Sequence, residues 1–349
     1  MFNTIYKKRI AWMVCVTFIT LCFGAGAALA QGPVVMRHVA MATEIEILMF
    51  GAPDAESEVL REAAREAFVA MDALEARISR FRQDSFTTLM NREAAERPVT
   101  VPSDIMELLL AARRYSERTG GAFDVTIGPI MKLWGFYVGS GNHPSPDELR
   151  EATARVGIEH VAFEPASRTV IFKRPGMHID FGGIAKGLAL DRAAAILRDH
   201  GVESARLNVG TSTIVAVGAP PGKSGWTVDI RSPYNNGEDA YIATVDIRNE
   251  SLSTSSRTER YIEIDGQRYG HIVDPRTGMP TTGILSATAI TPNGLESDVL
   301  STAFYVMGLE ATRDYCKSYP EVRAILVVET ENAPETIFIN MNQDSRSKE

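Results

Sequence analysis

Asp180-Phe181-Gly182-Gly183-Ile184-Ala185-Lys186-Gly187-Leu188-Ala189-Leu190-Asp191 is the stretch whose reading decides the fold. Gly176-Met177-His178-Ile179 leads into it like a strand end, and Leu188 to Leu197 follows with helical apolar spacing that closes at Gly201. The pattern predicts a strand, a paired-glycine turn and a helix. Backbone N–H groups at a helix start lack intrahelical partners and carry the positive end of the dipole. Glycines let a phosphate approach such groups, and Lys186 adds a cation one turn in. The arrangement suits a pyrophosphate. It is neither a Walker A loop, since no Gly-Lys-Ser/Thr follows, nor a GxGxxG fingerprint. Taken alone, the stretch reads more readily as a tight strand–helix turn with a surface lysine.

Working outward, Met36 to Phe50 alternates as a strand, and Asp54 to Ile78 is an amphipathic helix with Leu60, Ala64, Phe68, Met71 and Leu74 on one stripe. Ser79 to Ser85 is a polar loop. Ser103 is expected to cap a second helix running to Glu117, stopped by Gly120-Gly121. Ser145-Pro146-Asp147-Glu148 is a capping box with proline at the first helical position, and Val161 to Phe172 reads as a hairpin. From Ala205 to Ile264 strands dominate, with Asp265-Gly266 as a hairpin turn. Leu285 to Thr291 is a further strand, Glu296 to Met307 a helix stopped by Gly308, and Val322 to Val328 and Thr336 to Ile339 are closing strands. No Pro/Ser-rich linker, repeat or charge block divides residues 31–349, which predicts one α+β catalytic unit.

The 349 residues are 45% hydrophobic and 23% charged, with net charge −8. Residues 1–30 read as a secretory signal: Lys7-Lys8-Arg9, then apolar Ile10 to Gly24, then Ala28-Leu29-Ala30 before Gln31. An uncleaved membrane anchor is the alternative; the small-residue end favours cleavage and a periplasmic location. Losing those three cations takes the charge from −8 to −11, which argues against nucleic-acid binding. Only Cys316 would remain of the three cysteines, so the exported chain would hold no internal disulfide, and Cys316 reads as a buried apolar residue.

Four further stretches stand out: Gly120 to Phe136, Ser253-Thr254-Ser255, His271 to Pro280, and Glu296 to Ala303. Asp298 and Thr302 are four apart, so their oxygens share one helix face. A carboxylate and a hydroxyl suit Mg²⁺, although a solvated helix face is the commoner meaning of one such pair.

With Met41-Ala42-Thr43 and Ser79 to Asn91, these stretches in this order resemble the bacterial FAD:protein FMN transferases, the ApbE family, from about Met41 to about Gly308. The resemblance implies mixed and antiparallel sheets with packed helices, in two lobes around an FAD cleft. It implies cleavage of FAD, attachment of FMN through a phosphoester to a Thr or Ser of an exported or membrane flavoprotein of a respiratory or redox complex, and release of AMP. Carried over by motif, Met41, Phe81, Ala122, Phe123, Asp124, Asp180, Lys186 and Ile272 line the FAD site. The same resemblance implies that Phe81 would stack on the isoalloxazine, that Asp298, Thr302 and the backbone oxygen of Gly183 would hold Mg²⁺, and that His271 would be the general base.

Some relatives are instead Mg²⁺-dependent FAD pyrophosphatases, and a non-catalytic flavin-binding protein is the third reading. Phe81 favours the transferase over the hydrolase, while Asp298, Thr302 and His271 together argue for an enzyme. The chain departs from the family pattern at Ala42, a usual glycine; at Thr211-Ser212; at Ser256-Arg257-Thr258; and at Phe86, a common acid.

Overall fold

The computed structural model describes residues 32–51, 57–139, 141–234, 241–257 and 261–341. The signal-like segment, the start of the helix expected from Asp54, and Thr258 to Arg260 lie outside the described residues.

One eight-stranded sheet organises the chain. Its strands are β1 (Val34–Ala40), β2 (Thr43–Phe50), β6 (Ser204–Val209), β7 (Thr213–Val217), β10 (Ser251–Ser256), β13 (Ile284–Thr291), β14 (Arg323–Val328) and β15 (Glu335–Ile339), in that spatial order. Every neighbouring pair is antiparallel. The run from Met36 to Phe50 is therefore two strands: Ala40 pairs with Thr43 across a two-residue loop. Met41 and Ala42 both have positive φ there, 53° and 59°, which is the turn whose twist matches paired strands.

Three helices cover one face of this sheet: α1 (Ser57–Ile78), α6 (Ala185–Asp199) and α7 (Gly294–Ser318). The hairpin of β8 (Trp226–Arg231) and β9 (Tyr241–Ile247) covers the other through Trp226, Val228 and Val245. β13 is consequently buried along its whole length. Its helix-side positions, Ala287 and Ala289, are small, while Ile290 faces the hairpin. Small residues beneath α7 let the helix axis approach the strands closely enough to bring its polar groups onto β10.

A smaller region is built from α2 (Phe86–Glu93), β3 (Val99–Thr100), α3 (Ser103–Arg118), α4 (Gly128–Leu133), α5 (Pro146–Thr153), β4 (Val161–Glu164), β5 (Thr169–Phe172), and the hairpin of β11 (Tyr261–Ile264) and β12 (Gln267–Gly270). Ile130, Trp134, Ala152, Val156, Ile262 and Val273 form its own apolar cluster. The α5 capping box is present, with Ser145 and Glu148 bonded reciprocally. Ser103 is the first helical residue of α3 and Pro102 occupies the cap position, so no side chain caps that end. Between the polar loop and α3 the chain makes a helix that sequence patterning did not expose, α2, capped by Ser85 on the Thr88 amide at 3.0 Å.

α6 ends as its sequence predicts. Gly201 (φ 76°) donates to Arg198 and Val202 donates to Leu197, a Schellman closure. α7 breaks at Gly308 (φ 78°), as expected, but helix resumes beyond it to Ser318. Cys316 is fully buried.

Candidate active site

The Asp180 stretch is where three elements converge. Its lead-in is extended, yet it joins no sheet: His178 makes one parallel bridge with Ile127, and the Asp180 amide donates to the Val125 carbonyl at 2.7 Å. Asn91, on α2, holds the same segment from the other side. Its side chain accepts from the Ile179 amide at 2.6 Å and donates to the Ile179 carbonyl at 2.9 Å, as a neighbouring strand would.

At the bend itself the glycines serve close approach. Neither Gly182 nor Gly183 has a positive φ. A Cβ on Gly183 would lie 3.1 Å from the Phe123 ring and 3.7 Å from Thr302 Oγ1. Gly183 thus sits between the Gly120–Phe136 stretch and α7, and a side chain there would crowd the Phe123 ring. Further on, Gly187 of α6 meets Gly294 of α7 backbone to backbone. Asp191 fixes that meeting by accepting from the Gly294 amide at 2.6 Å and the Leu295 amide at 2.8 Å.

This contact delivers Asp298 to the start of α6. Its Oδ2 accepts from the Gly187 amide at 3.0 Å, and the Lys186 amide bonds to the carboxylate too. The helix start is therefore not the open row of amides expected from sequence. Gly182 donates to Asp180, Ile184 and Ala185 donate to Phe181, and the next two amides go to Asp298. A carboxylate from another helix has taken the place proposed for an anion, because the glycine pair lets it in.

The same diversion bears on a metal. In a continuing helix the Gly187 amide would bond to the Gly183 carbonyl; here it serves Asp298 instead. Asp298 is buried, and burial pushes its carboxyl up, opposed by the charge of Lys186 and by the amide bonds. Its Oδ1 has a long contact, 3.5 Å, from Thr213 Oγ1. A desolvated carboxylate oxygen, the Thr302 hydroxyl and the adjacent Gly183 backbone make an all-oxygen set of the kind a hard divalent cation takes. Among the described residues there is no cluster of three or more His, Cys, Asp or Glu that could hold a metal, so such an ion rests on this mixed set.

Behind it lies a ladder of hydroxyls. β10 alternates: Leu252 faces the β8–β9 hairpin, while Ser251, Ser253 and Ser255 face α7. Ser251 and Ser253 each bond Ser297, at 2.7 and 2.8 Å. Ser255 bonds Ser301 at 3.1 Å and Thr302 at 3.3 Å. Buried hydroxyls are costly unless paired, and these are paired with one another. They fix the rotation of α7 and hence the direction of Asp298 and Thr302.

The remaining expected site residues fall into four groups. Lys186 reaches across to the β6–β7 turn, its Nζ donating to Ser212 Oγ at 2.6 Å. That turn adjoins the Met41 hairpin, since a Cβ on Gly210 would lie 2.8 Å from Thr43 Oγ1 and the Gly210 amide donates to Glu44. Met41 donates its own amide to Glu75 at 2.7 Å.

Asp180 links the bend to an aromatic cluster. It accepts from Gly182, from the Tyr137 hydroxyl at 2.8 Å, and pairs with Arg80 at 3.1 Å. Phe81 is exposed beside it.

Ala122, Asp124 and Ile272 are buried. The Asp124 carboxylate accepts from Ser116, Ile158 and twice from Thr126. These four donors use its lone pairs, so Asp124 shapes the Gly120–Phe136 loop and its side chain has no capacity left for a ligand.

His271 is half-buried at the head of a tight loop in which Val273 bridges Pro280 and Trp134 Nε1 donates to the Gly278 carbonyl at 2.8 Å. Just before it, Gly270 packs against Arg257, two residues beyond Ser255. The loop thereby runs alongside the end of β10 that carries the Thr302 contact. A cavity of about 540 Å³ lies behind Gly120 and Gly121, lined among others by Glu117, His160, Arg174 and Arg276. Gly183, Asp298 and Thr302 are not among its lining residues.

The sequence profile of the ApbE family matches residues 41–326, most of the chain. The chain belongs to the ApbE family. An FAD:protein FMN transferase of Treponema pallidum is 33% identical over 279 residues, covering 76% of each protein, and one of Klebsiella pneumoniae is 31% identical over 289 residues, covering 81% of each. The ApbE protein of Thermotoga maritima superposes with a TM-score of 0.80 at 28% identity, over 90% of this chain and 100% of that one. The flavinyl transferase ApbE of Pseudomonas stutzeri gives 0.77 at 27%, over 88% and 94%. The mixed α+β architecture of this ApbE chain, with its antiparallel sheets, is that of these structures.

Several positions that build the site were not singled out from sequence: Asn91, Arg80, Tyr137, Thr213 and the Gly187–Gly294 contact. Period-two serines in Ser251 to Ser255 were the available signal for a polar strand face.

Proposed function

We propose that this chain is a Mg²⁺-dependent flavin transferase of the exported compartment, splitting FAD and joining FMN to a Thr or Ser of a flavoprotein. The curated relatives bear that activity in their names. The observation that carries the reading in this chain is that α7 sets Thr302 Oγ1 against Gly183 and the Asp298 carboxylate on the Gly187 amide, so oxygen-bearing groups of two distant stretches meet beside the glycine bend. The ion held there would neutralise diphosphate charge.

The chain's own residues supply the rest. Lys186 adds positive charge beside the carboxylate. Phe81 offers an open aromatic face to the isoalloxazine. His271 takes the proton of the acceptor hydroxyl, whose oxygen bonds to the phosphorus of the FMN half. AMP leaves with the electron pair of the broken P–O bond. Phosphoryl transfer depends on such positioning and charge neutralisation more than on covalent chemistry by the protein.

Incubation of the protein with FAD, Mg²⁺ and an acceptor domain tests this. Flavin fluorescence that survives a denaturing gel on the acceptor, with AMP in equal amount, is the expected result. AMP with free FMN would make the chain a pyrophosphatase, and FAD bound without either product would make it a binding protein. Export rests on Lys7-Lys8-Arg9, the apolar run and Ala28-Leu29-Ala30; the N-terminus of the periplasmic protein should be Gln31.

A further inference from the structure

Arg80 occupies an unusual position for a surface-loop arginine. Its side chain is 17% exposed and pairs through Nε with the Asp180 carboxylate, itself 12% exposed, at 3.1 Å. The guanidinium carbon lies 3.9 Å from the centre of the Phe81 ring and 3.7 Å from that of Tyr137. Among the described residues these two rings make no ring contact with each other, so the guanidinium separates them. Tyr137 is held in turn by its hydroxyl on Asp180. Phe81 is 69% exposed, so one face covers Arg80 and the other is open.

The loop carrying this pair is built rather than loose. Thr87 Oγ1 donates to the Ile78 carbonyl at 2.8 Å and Thr88 Oγ1 to the Arg82 carbonyl at 2.7 Å, tying both ends of the turn to α2. An exposed benzyl ring on a flexible loop would lose rotamer and loop freedom on binding a planar ligand. A ring already seated on a fixed guanidinium has given up most of that freedom. Asp180 also accepts from the Gly182 amide, so one carboxylate connects the bend to this aromatic platform.

We propose that Arg80 is a positioning residue for the flavin ring: it holds Phe81 in the stacking orientation and, through Asp180, in register with the Gly182–Gly183 bend. This rests on the FAD reading above. Arg80 acts through Phe81 and therefore affects the ring end of the ligand and not its diphosphate end.

Calorimetric binding of FAD and of ADP, which has a diphosphate and no flavin, separates the two ends. Arg80→Ala is expected to weaken FAD about tenfold and leave ADP unchanged, the size expected of a partly desolvated cation–π contact. Arg80→Lys, which keeps the charge on Asp180 but not the planar stack, should fall between. Phe81→Leu should also weaken FAD, and the double variant Arg80→Ala, Phe81→Leu should be no weaker than Phe81→Leu alone. Equal FAD affinity in Arg80→Ala, equal loss of FAD and ADP, or additive losses in the double variant would each overturn the proposal while leaving the transferase reading standing. Failure of the unaltered protein to bind FAD would overturn both.

Discussion

Gly187 and Gly294 touch main chain to main chain where α6 and α7 begin: a methyl on Gly187 would overlap the Gly294 carbonyl, and one on Gly294 would sit 2.6 Å from the Gly187 carbonyl oxygen. Two helix starts at this distance leave no room for relaxation, because both are clamped by Asp191. Gly187→Ala should therefore destabilise the protein by about 1–3 kcal/mol, the usual cost of forcing a methyl into a packed contact, despite the better helix propensity of alanine. The midpoint of chemical denaturation measures this, and an unchanged midpoint would show that the helices part freely.

Asp298 should be the residue through which Mg²⁺ stabilises the fold. Its carboxylate is buried against the start of α6, with burial raising it and Lys186, backbone donors and the Thr213 hydroxyl opposing. A ligand at a hundred times its dissociation constant adds about 2.7 kcal/mol to stability. Mg²⁺ should raise the Tm of the unaltered protein and not that of Asp298→Asn, and AMP release should be lost in the same variant. A Tm shift that persists in Asp298→Asn would move the metal elsewhere.

Ser255 is expected to matter almost as much without touching the ion. It bonds the Thr302 hydroxyl from β10, and removing such an orienting partner costs about 10–100-fold in metal affinity. Thr254 is the control, since its hydroxyl pairs with Thr288 away from α7. Mg²⁺ titration followed by Tm should show Ser255→Ala weakened and Thr254→Ala unaltered; parity between them would remove the ladder from the site.

What the sequence revealed and what it hid divide along one line. Alternation and helix punctuation depend on nearby residues, so β2, β13, α5, the α6 closure at Gly201 and the Gly308 break could all be read directly. β10 escaped because its inward positions are Ser251, Ser253 and Ser255, and an apolar period is absent where a strand buries hydroxyls against a polar helix face. The motif residues Asp298, Thr302 and Gly183 could be named from family resemblance. Nothing local shows that Asp298 closes the amides of α6, or that Asp124 consumes its carboxylate within its own loop, since each depends on partners in distant segments. Ser103 misled because Pro102, extended at φ −62°, takes the position one residue earlier.

His271→Ala should leave FAD affinity unchanged and slow transfer to the acceptor by about 10²–10⁴-fold, the range general base catalysis contributes. The loop that carries His271 is fixed by Val273, Pro280 and the Trp134 bond to Gly278, none of which the substitution removes. Single-turnover labelling of the acceptor at saturating FAD isolates the chemical step. Transfer at the original rate would strip His271 of its role as base.

Ala42 carries a cost that glycine would remove. Its φ of 59° follows Met41 at 53°, so the β1–β2 turn holds two side-chain-bearing residues in the left-handed region. That conformation costs a non-glycine residue about 1–2 kcal/mol, while glycine loses about 0.4–1 kcal/mol more in chain entropy on folding. The difference favours Ala42→Gly by about 0.5–1 kcal/mol. The turn is anchored at Met41 by Glu75, so the substitution changes strain without releasing the loop. Ala42→Gly should raise the denaturation midpoint with no change in FAD affinity. A lowered midpoint would mean that the alanine methyl makes contacts worth more than the backbone strain it imposes.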